Sequence, residues 1–158
     1  MKRNPRRARR NQHTVRVWTF AEAQAAAPYI ASVVRSLREH GLETLAQHRA
    51  VQRLAERPGR PDRAALIAQQ ECAAEARRAE ERFRSAAEEL KALDIYSLDP
   101  LQGQALVPFV HDGQLAWYIF DLFDDQPFRF WRYQSDPDET RRPLTARQKG
   151  AGQTSWTY

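Results

Sequence analysis

A chain of 158 residues, 42% hydrophobic and 28% charged, has the length and composition of one globular domain. No run of eighteen apolar residues occurs and the first thirteen positions are almost wholly polar, so the expectation is a cytoplasmic protein with neither a membrane span nor a secretory leader. Cys72 is the single cysteine, which excludes an internal disulfide and a zinc site built on several thiolates.

The net charge of +5 is unevenly spread. Lys2, Arg3, Arg6, Arg7, Arg9 and Arg10 open the chain, and Arg141, Arg142, Arg147 and Lys149 lie near its end. Neither segment holds an acid, so 15 basic and 20 acidic residues remain between them. Like charges repel and bury nothing, so residues 1–16 are expected to be a disordered basic arm and residues 141–158 a flexible one. Cations in such a run bind phosphates through counterion release, which makes nucleic acid a candidate partner, contacted by Arg3, Arg6, Arg7, Arg9 and Arg10.

The folded part is then a single domain over residues 17–140. Thr19 and Glu22 have the spacing of a capping box, so a helix starts near Phe20. Pro28 removes a hydrogen bond and clashes with the preceding turn, which predicts a short helix to about Ala27 and a kink or restart there. Ile30, Val33, Val34 and Leu37 form an apolar stripe, continued less regularly by Leu42, Leu45, Val51 and Leu54 to a frayed end near Arg57. Pro58, Gly59, Arg60 and Pro61 stop the helix, and Asp62 caps the next one. Leu66, Ala73, Ala76, Phe83, Ala87 and Leu90 share a face of that second helix, predicted over 62–93. The short connection makes the pair an antiparallel helical hairpin, residues 17–94, with coiled-coil character.

Past Leu93 the apolar period changes from helical to alternating. Asp112 and Gly113 suit a two-residue type I′ turn, which pairs Val110 with Leu115, Pro108 with Trp117 and Val107 with Tyr118. Asp124 to Pro127 make the next turn, leading to a strand over Phe128 to Tyr133. Pro108 cannot donate to a ladder, so its strand lies at an edge and residues 114–123 in the centre. The fold class is α+β, a long helical hairpin followed by a three-stranded antiparallel β-meander over residues 95–140. Alternation puts Val107, Phe109, Tyr118 and Phe120 on one face, and Leu106, Val110, Leu115, Trp117 and Ile119 on the other. With both faces apolar, the helical hairpin covers only one. The Ile95 to Gln102 loop, a terminal arm or a partner must cover the other, and a homodimer is the simplest supply, with Val107, Phe109, Tyr118 and Phe120 as candidate interface residues.

Trp18 to Pro28 with its Trp-Thr-Phe-x-Glu-Ala start, the helical hairpin, the exit Leu93 to Asp99, and Val107 to Tyr118 with Val-Pro-Phe, a glycine turn and Trp-Tyr together resemble the bacterial domain of unknown function 2203 family over about residues 17–145. The resemblance implies this fold pattern and carries no established activity. Members usually have Trp-His on the last strand and a glycine-rich close. This chain has Trp131-Arg132 and Arg141-Arg142-Pro143-Leu144, so a role resting on that histidine is absent.

No arrangement predicts a catalytic centre, a cofactor or a metal site. His111, Asp112, Asp121, Asp124 and Asp125 fall at opposite ends of the central strand, and turn chemistry accounts for Asp112, Asp124 and Asp125. Asp121 is expected in an ion pair with Arg129 or Arg132. Cys72 lies among alanines with no orienting group for a thiol nucleophile paired with His40 or His48. Phe128 to Tyr133 interleaves cations with aromatics, so Arg129, Trp131 and Tyr133 are candidates for base contacts, although cross-strand aromatic contacts account for the pattern as well. In that strand, alternation groups Phe128 with Phe130 and Trp131 with Tyr133. The expected function is thus a non-enzymatic, self-associating interaction module, with a nucleic-acid-associated protein as the alternative.

Overall fold

The computed structural model describes residues 14–150 and the backbone of 155–157. A short strand β1 (Thr14–Arg16) leads into α1 (Phe20–Ala55), which is joined by a tight turn to α2 (Arg63–Ala92). A 3-10 turn over Pro100–Gln102 leads to β2 (Gln104–His111), β3 (Gln114–Asp121), β4 (Phe128–Tyr133) and β5 (Arg142–Pro143). The chain closes with the single-turn helix α3 (Ala146–Lys149) and β6 (Ser155–Thr157). The α+β class and the hairpin-then-meander order are as the sequence predicts, and β5 adds a fourth strand in the order β2-β3-β4-β5.

Local chemistry sets the element ends. Thr19 and Glu22 form the reciprocal capping box of α1, and the Thr19 amide donates to the Glu22 carboxylate at 2.8 Å. That amide holds the Glu22 carboxyl below its ordinary pKa. Asp62 caps α2 by accepting from the Ala65 amide at 2.8 Å. Asp112 and Gly113 both take positive φ (49° and 73°), as the predicted turn demands, and the β2–β3 register is the predicted one.

Pro28 does not divide α1, which runs unbroken through it. Ala23, Ala27, Ile30 and Val34 bury one continuous face on either side of the proline, and this burial outweighs the lost backbone bond. The stripe does end early. Ala23 to Gly41 are buried along α1 and Ala76 to Leu90 along α2, while none of residues 42–75 is fully buried. Leu42 and Leu45, predicted as stripe residues, are exposed. With about 100° between successive helical residues, Leu42 turns well away from the line of Ile30, Leu37 and Gly41. The outer half of the hairpin therefore projects past the sheet as a two-helix arm.

Val107, Phe109, Tyr118, Phe120, Phe128 and Trp131 line the sheet face that meets Ile30, Val33, Val34, Leu37 and Leu90 of the hairpin. On the other face Leu106, Val110, Leu115, Trp117 and Ile119 form a second buried cluster with Val17 and Phe130. A bulge between Ile119 and Phe120 makes Arg129 the extra residue of β4. It shifts the alternation, so Phe128 shares the helix face with Trp131 while Phe130 lies opposite, contrary to the predicted grouping.

The chain itself covers the outer face. β1 pairs with β6 in a two-stranded ribbon, and Val15 and Val17 are buried there at 2% exposure each. The Trp18 amide donates to the Pro108 carbonyl at 2.7 Å, and Tyr96 exchanges two backbone bonds with Leu106, so the β2 edge is occupied as well. Residues 14–16 are thus a strand and residues 141–150 are docked structure, which corrects the expectation of arms at those positions. Residues 1–13 lie outside the described residues, and Arg3, Arg6, Arg7, Arg9 and Arg10 with them.

Candidate functional site

Among the described residues, three places that bring functional groups together stand out. The first is where α3 meets the open end of the sheet. Gln148 is buried, and its side-chain oxygen accepts from the Thr145 amide at 2.9 Å, which turns its Nε2 toward His111 Nε2 at 3.4 Å. The His111 ring meets Trp131 edge-on at 4.9 Å and lies over Tyr133 at 6.0 Å, with the Asp112 carboxylate 3.6 Å from Nε2. Tyr118 donates its hydroxyl to the Gln148 carbonyl at 2.9 Å, and burial pushes that phenol well above its ordinary pKa. Arg147 ties the far side to Asp112 at 2.8 Å. These groups satisfy one another, so the cluster is a clasp that docks the chain's end.

The second is a cleft of about 340 Å³ on the outer sheet face, lined by Val15, Tyr96, Leu106, Leu115, Trp117, Arg132, Gln134 and Asp138. Arg132 is 3% exposed and stands opposite Trp117 in the β3–β4 ladder. Its Nη1 donates to the carbonyls of Tyr133 and Asp136, at 3.3 and 3.2 Å, and its Nη2 to Asp138 Oδ1 at 3.0 Å. Among the described residues, Arg132 Nε is the one buried side-chain polar atom without a partner.

The third is an apolar strip on the side of α1 that α2 leaves open. Gly41 lets the chain approach closely, since a Cβ there would stand 3.2 Å from both Phe83 and Leu101. Gly41, Thr44, Leu45, Phe83, Pro100 and Leu101 line a hollow of about 240 Å³. Leu45 is 42% exposed; Leu42, one helical turn beyond Arg38, is also 42% exposed, and Phe123, against Arg38, is 66% exposed. The Arg38 guanidinium lies 5.2 Å from the Phe123 ring centre and donates to the Leu101 carbonyl at 2.8 Å.

The sequence-predicted residues fall elsewhere. Val107, Phe109, Tyr118 and Phe120 are at most 2% exposed beneath the helices, so they are core residues of one chain and present no interface. Trp131 is buried, donating its indole N–H to the Pro143 carbonyl, with Arg142 5.6 Å above the ring, so its face is closed to a base. Tyr133 is half-buried beside it, and Arg129 is paired with Asp124 at 3.1 Å. Asp121 takes neither arginine. It accepts from the Phe123 amide at 2.9 Å and from Gln104 at 3.2 Å, while Arg132 goes to Asp138. His48 pairs with Glu80 and His40 lies 3.6 Å from Glu43, leaving both outside any Cys72 dyad. Among the described residues, no three His, Cys, Asp or Glu side chains are grouped to hold a metal, and no helix is long and apolar enough to cross a membrane.

No protein-family model matches this chain, and neither does any curated protein or solved structure.

Proposed function

We propose that this chain is a non-enzymatic protein–protein interaction module that associates with a second copy of itself through the outer side of α1. The observation that carries this reading is the exposure of three large apolar side chains along α1: Leu45 at the edge of an apolar hollow, with Leu42 and Phe123 beside Arg38. Grouped exposure of that kind beside an apolar hollow is characteristic of a docking surface. The charge pattern favours a second copy as the occupant. Residues 49–63 at the hairpin tip hold five basic and two acidic residues, whereas residues 80–89 near its base hold four acidic and two basic. An antiparallel two-fold pairing sets the tip of one copy along the base of the other and centres the apolar strip on the axis. The resemblance to the domain of unknown function 2203 family belongs to the same proposal; it is supported by the helical hairpin and the Val107 to Tyr118 strand pair, and it brings no activity with it.

Light scattering at micromolar concentration tests the reading. The expected result is a dimer that weakens as salt rises, and conversion to monomer by Leu45→Arg or Phe123→Asp without loss of thermal stability. A chain that stays monomeric at every salt concentration overturns it.

A further inference from the structure

We infer that the cleft on the outer sheet face binds a small aromatic carboxylate through Arg132, a role separate from self-association. A guanidinium offers its Nε–Nη2 edge to both oxygens of a carboxylate, and this molecule shows the arrangement elsewhere: Arg142 Nε and Nη2 each donate to Asp136 at 2.8 Å. Arg132 uses that edge only in part. Its Nη2 reaches one oxygen of Asp138, and its Nε is buried without an acceptor. A buried guanidinium ordinarily has its donors satisfied, so the missing partner marks a position made for an acceptor that the chain does not supply.

Asp138 is a displaceable occupant. Its side chain is 72% exposed against 4% for Arg132, so it can swing away into water provided another carboxylate takes its place on the buried guanidinium. An incoming carboxylate that takes the whole edge replaces one oxygen contact by two. The walls specify the remainder of the ligand. Trp117 and Tyr96 meet edge-on at 5.3 Å, and with Leu106, Leu115 and Val15 they form an apolar lining in a cleft whose volume suits a molecule of one or two rings. The site is thus a charge-paired head beside an aromatic slot, which fits a ring bearing a short carboxylate arm.

The test uses the full chain with indole-3-acetate as the probe and indole-3-acetamide as its uncharged match. The readouts are the NMR signals of Arg132 Nε–H and of the Trp117 indole N–H. Indole-3-acetate is expected to shift both signals saturably, while the amide leaves them in place. Asp138→Asn removes the competing carboxylate and leaves the buried guanidinium without a counter-ion until ligand arrives, so it is expected to tighten binding at least about tenfold. Arg132→Lys, which offers a point charge in place of the planar edge, is expected to abolish the response. Because Arg132 is buried and its replacement risks the fold, Asp138→Asn at an exposed site carries the test independently. An equal response to the amide, no response to either compound, or an Asp138→Asn affinity equal to the parent's overturns the proposal.

Discussion

Asp136 shows how a single side chain fastens an element. Its carboxylate accepts both Arg142 donors and the Tyr133 amide, and so joins the end of β4 to β5. The Arg142 hydrogen bonds, helped by the Tyr133 amide, hold its pKa at about 2 against an ordinary 3.8. Since the folded value lies below the unfolded one, this stabilisation is complete above about pH 4 and is lost as the pH falls toward 2. Asp136→Asn is expected to lower stability at neutral pH and to flatten the acid limb of the stability curve between pH 4 and pH 2, measured by urea unfolding at each pH. At the start of α1, Thr19→Ala removes one capping partner and is expected to cost about 1 kcal/mol in the same assay. Residue-level chemistry of this local kind is legible without coordinates, because donor and acceptor lie within three residues of each other at Thr19 and Asp62. Arg132 is the opposite case. Its burial depends on Asp138 and on the ribbon that lies over Trp117, and no spacing in β4 distinguishes it from exposed Arg129.

At the scale of elements, α1 tests local preference against tertiary contact. The proline at position 28 forbids one backbone bond, to the Gln24 carbonyl, yet the helix continues because its buried face is already committed on both sides. Pro28→Ala is expected to raise stability by about 1–2 kcal/mol, the restored hydrogen bond outweighing the extra freedom given to the unfolded chain. A lower urea midpoint would instead show that the proline shapes the path of α1 onto the sheet. In the meander, period and turn chemistry are decisive. Asp112-Gly113 fixes the β2–β3 register, which places every side chain of those two strands on its correct face. The same logic fails in β4, where the bulge at Arg129 inserts one residue and exchanges the faces beyond it. A bulge answers to the twist of the neighbouring strand, and its own six residues carry no mark of it.

The whole molecule depends on a ribbon made from its two ends. β1 and β6 come from opposite ends of the described chain, and Val15 of the ribbon, with Val17 beside it, lies over a sheet face that is otherwise greasy. Val17→Asp places a carboxylate in that cluster and is expected to destabilise the fold by about 2–4 kcal/mol. A chain shortened to begin at Val17 is expected to bind a hydrophobic dye and to associate through the uncovered sheet, as seen by fluorescence and light scattering. If it stays monomeric and dye-free, the ribbon is dispensable as cover. Association belongs on α1 and not on the sheet because the chain itself covers both apolar sheet faces, leaving on the outer one only the cleft beside Arg132.

The residues alone determined the hairpin, its caps, the β2–β3 pairing and the two-faced apolar character of the sheet, since each rests on periodicity or on contacts a few positions apart. Only the tertiary structure decided what lies against the second face, that Trp131 is sealed under Arg142, and that Leu42, Leu45 and Phe123 remain in water. Those outcomes turn on contacts between residues far apart in the chain, and an apolar side chain is the same in sequence whether its neighbour is a strand from the other terminus or solvent.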